Sequence, residues 1–375
     1  MKINNALFKK ILTRGLLAGL AITACTLAEL EAANSSVNAY AWITDPSGVT
    51  NTGYPAYLPN QWALANGGRL RGFIRAANGV SVAGGASVYF DVFEPLSGQL
   101  SLGNASTVNL ESDLYLTSSA SLVIGGSTNN YATLASTNPT TVHLGGDLSI
   151  PASRTLFINS PALTIDGAGC ACNFGDGAST FRINNGKKLT LRNMVINGLT
   201  GANQIKGPGT LTLQNCIVNL PTSDVTWTAS WGNVRILVAD DVVVRGGGKF
   251  VFGSSTSLTV SANSMLSFDN NTTFSFAPQD KSRTRLYFGD SSSILRLNGS
   301  TFCAPGSGGF TGVGLTKGTL LLDNKATFSN SHNSTLNRGF TFGNGTGSSD
   351  LSVRLNAGAS INLDCGIIDY QNVDA

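Results

Sequence analysis

The chain has 375 residues, of which 44 are glycine and only 12% are charged, and its formal net charge is +3. Combined with many Ser, Thr and Asn residues, this composition is typical of a turn-rich, all-β protein. This net charge is too small, and the charged residues are too scattered along the chain, to indicate binding to nucleic acid, so we expect no nucleic-acid partner.

Residues 1–33 have the organisation of an export signal peptide. A basic region precedes an apolar run at 15–28, which is too short to span a bilayer as a mature helix. We expect cleavage after Ala32 or Ala33. The mature protein is then predicted to be exported, to the cell surface, the outer membrane or the extracellular medium.

The tetrapeptide ITAC at 22–25 permits a second interpretation of the same segment. It resembles the lipoprotein box of bacteria, in which the cysteine, here Cys25, is acylated. The mature protein would then be attached to a membrane through its lipid alone. An ordinary signal peptide that contains a cysteine is the alternative, and both interpretations stay open.

Residues 34–98 differ from the rest of the chain in being rich in aromatic residues and proline. A stack of repeating coils needs a cap over the apolar end of its first coil, because an open end is an aggregation-prone strand edge. We therefore predict that this segment is an N-terminal cap that leads into the first strands; a separate ligand-binding module is the alternative. Its tyrosines and tryptophans include Tyr40, Trp42, Tyr54, Tyr57 and Trp62.

A repeated phrase organises residues 99–375. LTLRNMVIN at 189–197 and LTLQNCIVN at 211–219 are the same nine-residue unit with four substitutions, and their starts are 22 residues apart. LTIDG at 163–167 is a related unit. A fixed unit of this length that alternates apolar and polar residues is typical of a repeat architecture, which we interpret as a parallel β-solenoid.

The alternation within the unit predicts how successive coils stack. Leu189 and Leu191 point to one face of a strand, and Thr190 and Arg192 point to the other. Stacking the coils about 4.8 Å apart places leucine on leucine in the interior. The asparagine that follows Arg192 and its counterpart one unit later fall at a turn, where stacked amides can bond from coil to coil.

Residues 220–233 interrupt the period and are predicted to form a loop that projects from one corner. The segment contains Trp227 and Trp231. Exposed indoles on a loop stack on sugars or on the side chains of a partner protein, so the two residues are candidate ligand-binding residues. Alternatively, both indoles fold back and cover part of the solenoid.

From residue 242 the repeat changes to a form that is rich in phenylalanine. A strand that ends in Phe-Gly is followed by a Ser-rich turn and another strand, with copies that start at residues 250, 286 and 340. The phenylalanines at the ends of related corners predict an internal aromatic ladder. They are Phe274, Phe302 and Phe328.

The units at 163–167 and 183–198 (INNGKKLTLRNMVING) are similar to the shared coil of the pectin lyase-like right-handed parallel β-helix superfamily. The resemblance implies an all-β fold, a single-stranded right-handed parallel β-helix. Members of the superfamily include polysaccharide lyases, polygalacturonases and bacterial surface adhesins. The matched motif is specific to the architecture and does not select an activity.

Asp166 and Arg192 are the first candidates for chemistry, because the repeat places them in one outward column, one coil apart. In the lyases of the superfamily, a basic residue abstracts a proton beside carboxylates that hold a metal ion. Here the nearest acid is single, so the sequence favours a surface ion pair worth less than about 1 kcal/mol.

Asp240 and Asp241 resemble the paired acids of polygalacturonase-like enzymes, in which one acid protonates the leaving oxygen and others activate water. The Gly-His-Gly and Arg-x-Lys patterns of those enzymes do not follow. The apolar run VVV at 242–244 follows instead, so we predict that the two acids mark a corner of the coil.

No pattern in the chain indicates a cofactor or a metal site. Cys170 and Cys172 form a Cys-x-Cys pair, but the only histidines are His143 and His332. The sequence therefore favours an exported surface protein with an adhesive or structural role and no catalysis. Its expected partners are glycans or cell-surface molecules, and a membrane is contacted only through Cys25. The alternative is a polysaccharide-acting enzyme, either a uronate lyase or a glycoside hydrolase.

Overall fold

The computed structural model of the chain describes residues 42–45, 48–51, 56–58, 62–64, 66–72, 74–76, 80–92, 95–96, 98–117, 122–124, 131–200, 204–221, 226–229, 234–252, 257–269, 271–276, 286–303, 316–330, 340–342, 350–363 and 368–370. These residues form strands and turns, and no helix that could span a membrane occurs among them. The predicted signal peptide at 1–33, with Cys25, lies outside the described residues.

The described residues fold into short strands joined by tight turns. In chain order the strands are β1 (Trp42–Asp45), β2 (Gly48–Asn51), β3 (Ala56–Leu58), β4 (Trp62–Leu64), β5 (Arg69–Gly72), β6 (Ile74–Ala76), β7 (Val80–Val82), β8 (Ser87–Val92), β9 (Leu100–Leu102), β10 (Ser106–Leu110), β11 (Leu114–Tyr115), β12 (Leu122–Ile124), β13 (Tyr131–Ser136), β14 (Thr140–His143), β15 (Leu148–Ile150), β16 (Thr155–Asn159), β17 (Leu163–Asp166), β18 (Ala171–Phe174), β19 (Thr180–Ile183), β20 (Lys188–Asn197), β21 (Ile205–Lys206), β22 (Thr210–Asn219), β23 (Thr226–Ala229), β24 (Arg235–Arg245), β25 (Lys249–Phe252), β26 (Leu258–Val260), β27 (Met265–Asp269), β28 (Thr273–Phe276), β29 (Leu286–Phe288), β30 (Ile294–Asn298), β31 (Thr301–Cys303), β32 (Gly318–Asp323), β33 (Thr327–Asn330), β34 (Phe340–Phe342), β35 (Leu351–Leu355), β36 (Ser360–Leu363) and β37 (Ile368–Tyr370).

Successive strands of a coil lie on three faces of the solenoid. In one coil, β16 lies on face 1, β17 on face 2 and β18 on face 3, and each pairs in parallel with a strand of the next coil. β20, β22 and β24 run through the corner between faces 2 and 3 and so join these faces into one sheet of 18 strands. The predicted all-β parallel solenoid is confirmed.

The chain enters the solenoid through an antiparallel hairpin. β1 pairs antiparallel with both β2 and β5, whereas β5 pairs in parallel with β8 on face 1. The hairpin therefore lies beside the first parallel strand of face 1, inside the segment predicted to be a cap. Its pairing covers the strand edge that β5 would otherwise leave open.

Apolar columns fill the interior, as the alternation predicts. Leu163, Leu189 and Leu211 are neighbours in register on face 2, and all three are buried. The same column continues through Ile236 and Leu258, which are also buried. Because each coil buries its inner face only against its neighbours, stability is nearest-neighbour in character.

The predicted aromatic ladder is present at Phe274 and Phe302; the backbone of Phe328 continues the register, but its side chain lies outside the described part of the structure. Phe250, Phe274 and Phe302 are in register on face 1 and are buried. The ring centroids of Phe250 and Phe274 are 5.8 Å apart, and those of Phe274 and Phe302 are 5.1 Å apart with an interplanar angle of 88°. Phe268 from face 3 stacks on Phe274 at 4.5 Å. The rings therefore pack in mixed orientations instead of forming a uniform stack.

The Phe-Gly phrase of the second repeat does not mark one particular corner. The copy that ends β25 leaves face 1, whereas the copy that ends β29 leaves face 2. Another Phe-Gly pair ends β18 on face 3. A Cβ atom on Gly175 would lie 2.6 Å from the amide nitrogen of Ala152, and one on Gly289 would lie 2.6 Å from that of Ala262. The shared feature is thus a close backbone approach that only glycine tolerates.

The interval predicted to be a loop, 220–233, contains a strand. β23 pairs in parallel with β25, with Trp227 opposite Phe250, and occupies the place of face 1 in its coil. The physical reason is visible in the sequence VTWTASW at 225–231, where apolar residues alternate with polar ones at the period of a strand. The preceding proline, Pro221, obscured that pattern.

Candidate functional site

The candidate residues on face 2 belong to one outward column that crosses successive coils. Strand register places Tyr115 beside His143, His143 beside Asp166, Asp166 beside Arg192, and Arg192 beside Gln214. We call these five residues the polar column. Each lies at the end of its face 2 segment, directly before the chain turns toward face 3.

Asp166 and Arg192 form the ion pair that the repeat predicts. Arg192 Nη2 donates to Asp166 Oδ2 at 2.7 Å, and Arg192 Nε donates to the same oxygen at 3.2 Å. The Asp166 side chain is 15% exposed and that of Arg192 is 34% exposed. Asn193 Nδ2 donates to Asp166 Oδ1 at 3.0 Å, so both carboxylate oxygens are engaged by the next coil.

These contacts determine the protonation of Asp166. Burial acts to raise its pKa, but the hydrogen bonds from Arg192, Asn193 and the Ala168 amide outweigh burial and hold the pKa below its ordinary value. A general acid in a glycosidase needs a raised pKa. Asp166 is therefore suited to holding the Arg192 guanidinium and is poorly suited to donating a proton.

His143 extends the polar column in a way that the sequence did not predict. Its ring stacks on that of Tyr115, with centroids 4.3 Å apart and an interplanar angle of 4°. His143 Nδ1 lies 3.9 Å from Asp166 Oδ2. His143 belongs to the coil before that of Asp166, and Arg192 belongs to the coil after it. Tyr115 is 42% exposed. Tyr115 and His143 are the last residues of their strands on face 2, as Asp166 is of its strand. Knowledge of which strands are paired, and in which register, would therefore have identified both residues.

Asp240 and Asp241 lie at the corner between faces 2 and 3, as predicted. Asp240 has a φ of 53°, the same left-handed conformation as Asn193 (53°) and Asn215 (50°) at the equivalent corners of the two preceding coils. One residue forms this corner in the two preceding coils, whereas Asp240 and Asp241 together stand opposite Asn215, where the register shifts. Positive φ favours Asn and Asp at such corners, because their short polar side chains tolerate it. Gln214 Nε2 donates to Asp240 Oδ2 at 2.9 Å. Both acids are exposed.

The structure brings together only some of the candidate residues. Asp166 and Arg192 are in contact, and Asp240 joins the polar column through Gln214. Trp227 is placed by its backbone on face 1, in β23. Trp231 and Cys25 lie outside the described residues.

The cysteines of the predicted pair occupy different environments. Cys172 is fully buried in face 3, whereas Cys170 is half-buried at the preceding corner. Burial raises the pKa of the Cys216 thiol to about 11, and raises that of Cys172 even further. Among the described residues, no group of three or more His, Cys, Asp or Glu side chains is arranged to hold a metal ion.

Comparison of the chain with protein-family models, with curated proteins and with solved structures finds no match in any of the three.

Proposed function

We propose that this protein is an exported β-solenoid of the cell surface with an adhesive or structural role and no catalytic activity. The observation that carries the proposal is the polar column on face 2. The Asp166 carboxylate is held by Arg192 and Asn193 of the next coil, and its pKa is depressed. This arrangement favours a rigid, polar outer face for contact over an acid and base poised to react with a substrate.

We propose further that the coil is of the pectin lyase-like, right-handed type. The three-faced parallel coil supports this assignment, as does the left-handed Asn or Asp at the corner between faces 2 and 3. A crystal structure would test it directly, since a left-handed coil would contradict the assignment.

Localisation tests the proposal of export. Cells that express the full chain are treated with an external protease and then fractionated, and the protein is followed by immunoblotting. We expect digestion of the protein in intact cells while a cytoplasmic marker survives. Protection of the protein in intact cells, with digestion only after lysis, would contradict a surface location.

The two interpretations of Cys25 are separated by substitution. If Cys25 is acylated, the protein partitions into the detergent phase and Cys25→Ser moves it to the aqueous phase. If residues 1–33 are an ordinary signal peptide, both proteins remain in the aqueous phase. Metabolic labelling with a fatty acid distinguishes the same two outcomes independently.

The enzymatic alternative rests on His143, Asp166 and Arg192, which place an imidazole, a carboxylate and a guanidinium in one column. Purified protein is incubated with uronate polysaccharides, with and without calcium, and the release of reducing ends and of unsaturated products is measured. We expect no cleavage. Cleavage that Asp166→Asn or Arg192→Gln abolishes would overturn the non-catalytic proposal.

A further inference from the structure

A cluster of basic side chains lies around the corner between faces 1 and 2. Two belong to β19 and β21 on face 1, and the others lie at the turn after β19 and at the starts of β20 and β24 on face 2. We call this cluster the basic corner. Its members are Arg182, Lys187, Lys188, Lys206 and Arg235.

Among the described residues, none of the cations of the basic corner is paired with a carboxylate, in contrast to four arginines elsewhere in the solenoid. Elsewhere, Arg69, Arg71, Arg192 and Arg296 each contact a carboxylate at 2.7–3.0 Å. Within the described parts of the chain, no carboxylate lies within ion-pair distance of any member of the basic corner. Asp176, at the corner before β19, is engaged by Ser153 and Ser179.

Strand register concentrates these charges. Arg182 and Lys206 are direct neighbours on adjacent strands, about 4.8 Å apart along the solenoid axis. Lys188 and Arg235 lie in one column with only Thr210 between them. Like charges that face each other in a sheet are destabilising, so the basic corner carries a positive potential that an external anion would relieve.

Two aromatic rings lie beside the basic corner toward the N-terminal coils, one in the column of Arg182 and one, Tyr131, two residues away from that column on β13. Phe157 is in register with Arg182, whose guanidinium carbon lies 5.4 Å from the ring centroid. Tyr131 meets Phe157 edge to face at 5.3 Å and is 43% exposed. From Tyr131 to Lys206, face 1 therefore presents aromatic and cationic groups on four consecutive strands, which are β13, β16, β19 and β21.

We propose that this strip binds a sulfated, linear polysaccharide. Its exposed Tyr131 ring offers a face for stacking on a sugar ring, and its cations, none of which is paired with a carboxylate of the described residues, offer partners for anionic groups. A strip that runs along the solenoid axis fits an extended polymer better than a single anion. Because each exposed ion pair contributes little, the ligand needs a high density of permanent charge, which sulfate groups supply. The inference rests on the proposed function as a surface protein and names the ligand of that surface.

The test measures binding of heparin to the purified full chain by surface plasmon resonance at several salt concentrations. We expect the triple substitution Arg182→Gln, Lys188→Gln and Lys206→Gln to weaken binding at least tenfold and to flatten the dependence on salt. The matched control removes the same number of charges from other coils. It carries Lys317→Gln, Lys325→Gln and Arg354→Gln, and it is expected to bind as the natural chain does.

A second variant tests the aromatic part of the strip. Tyr131→Ala removes an exposed ring without removing charge, so we expect weaker binding with an unchanged salt dependence. Far-ultraviolet circular dichroism and thermal unfolding establish that each variant is folded. An equal loss in the control triple variant would overturn the proposed site, because the effect would then follow total charge.

Binding of other polyanions shows whether the site recognises sulfate groups, carboxylate groups or any polyanion. Hyaluronan carries carboxylates but no sulfates, and it is expected to bind more weakly than heparin; the reverse order would overturn the assignment to sulfate. Double-stranded DNA that binds as tightly as heparin would show a surface for any polyanion and would also overturn the proposal. Failure of the natural chain to bind heparin would remove this inference, whereas the surface location is tested separately by protease digestion of intact cells.

Discussion

At the scale of single residues, Asp166 couples the polar column to pH. Its folded-state pKa lies below the ordinary value of 3.8, because the hydrogen bonds from Arg192 and Asn193 outweigh its burial. A carboxylate with a depressed pKa stabilises the folded state above the pKa of the unfolded chain, and this contribution is lost as pH falls through the folded-state pKa.

We therefore expect Asp166→Asn to lower the free energy of unfolding by about 1 kcal/mol at neutral pH. The difference from the natural chain is expected to shrink as pH falls below 3.8 and then to vanish, as measured by urea denaturation across acidic pH. Asp241→Asn is the control, since that exposed carboxylate has no partner within the described parts of the chain. A difference that is constant with pH would contradict the role of ionised Asp166.

How much of the polar column could be predicted depends on register. Asp166 and Arg192 were paired correctly because both belong to the repeated phrase, which sets their positions one coil apart. His143 and Tyr115 were missed because β11 and β14 belong to no repeated phrase. The turns before the two strands are equally long, but the chain takes four residues from Leu110 to Leu114 and six between their register partners Ser136 and Val142, so the register cannot be counted along the sequence.

The left-handed corners give a second test at this scale. Asn215 has a φ of 50°, and its Nδ2 donates to Asn193 Oδ1 at 2.9 Å. Asn215→Ala removes the bond between coils and places an alanine in the left-handed region, so we expect a loss of about 1–2 kcal/mol in the free energy of unfolding.

Asn215→Gly separates the two contributions at this corner. Glycine adopts positive φ without steric cost, so only the side-chain hydrogen bond is lost and a smaller destabilisation is expected. Equal unfolding midpoints for the alanine and glycine variants in urea would show that backbone conformation contributes nothing at Asn215.

At the scale of elements, β25, β28 and β31 are held together by the aromatic ladder. Phe274 is fully buried, and its ring contacts those of Phe250, Phe268 and Phe302. Phe274→Ala opens a cavity among these rings, and we expect it to cost about 3–5 kcal/mol, measured by chemical denaturation. Phe274→Leu keeps most of the volume and is expected to cost less. Equal losses for the two variants would show that ring volume is not what the ladder supplies.

At the scale of elements, the sequence predicts which residues point into the interior but does not predict the face of the solenoid on which each strand lies. Columns of leucine and the phenylalanine ladder were predictable, because apolar periodicity is dictated by the strand itself. The face on which each strand lies was not, because the same Phe-Gly turn chemistry serves several corners. β23 was not predicted, because a segment that contains Pro221 and two tryptophans has the composition of a loop. The alternation of apolar and polar residues at 225–231 is nevertheless that of a strand.

At the scale of the whole molecule, the solenoid is a stack in which each coil contacts only its neighbours. Leu191 lies fully buried between Ile165 and Leu213 in one column of face 2. In distant coils, β30 pairs with β27 and β32, and β32 pairs with β30 and β35, so neither strand pairs with the strands of this column. Stability in such an array is expected to be local, with separate segments opening at different free energies.

This arrangement predicts how damage spreads through the solenoid. Leu191→Asn buries an amide without partners, which costs a few kcal/mol. In hydrogen exchange followed by mass spectrometry, we expect faster exchange in β17, β20 and β22, while β30 and β32 keep the protection of the natural chain. Thr190→Asn changes the adjacent outward position and is expected to leave exchange unchanged. Uniform acceleration across all these strands would show a single cooperative unit, and it would contradict the nearest-neighbour account of how leucine columns hold the coils together.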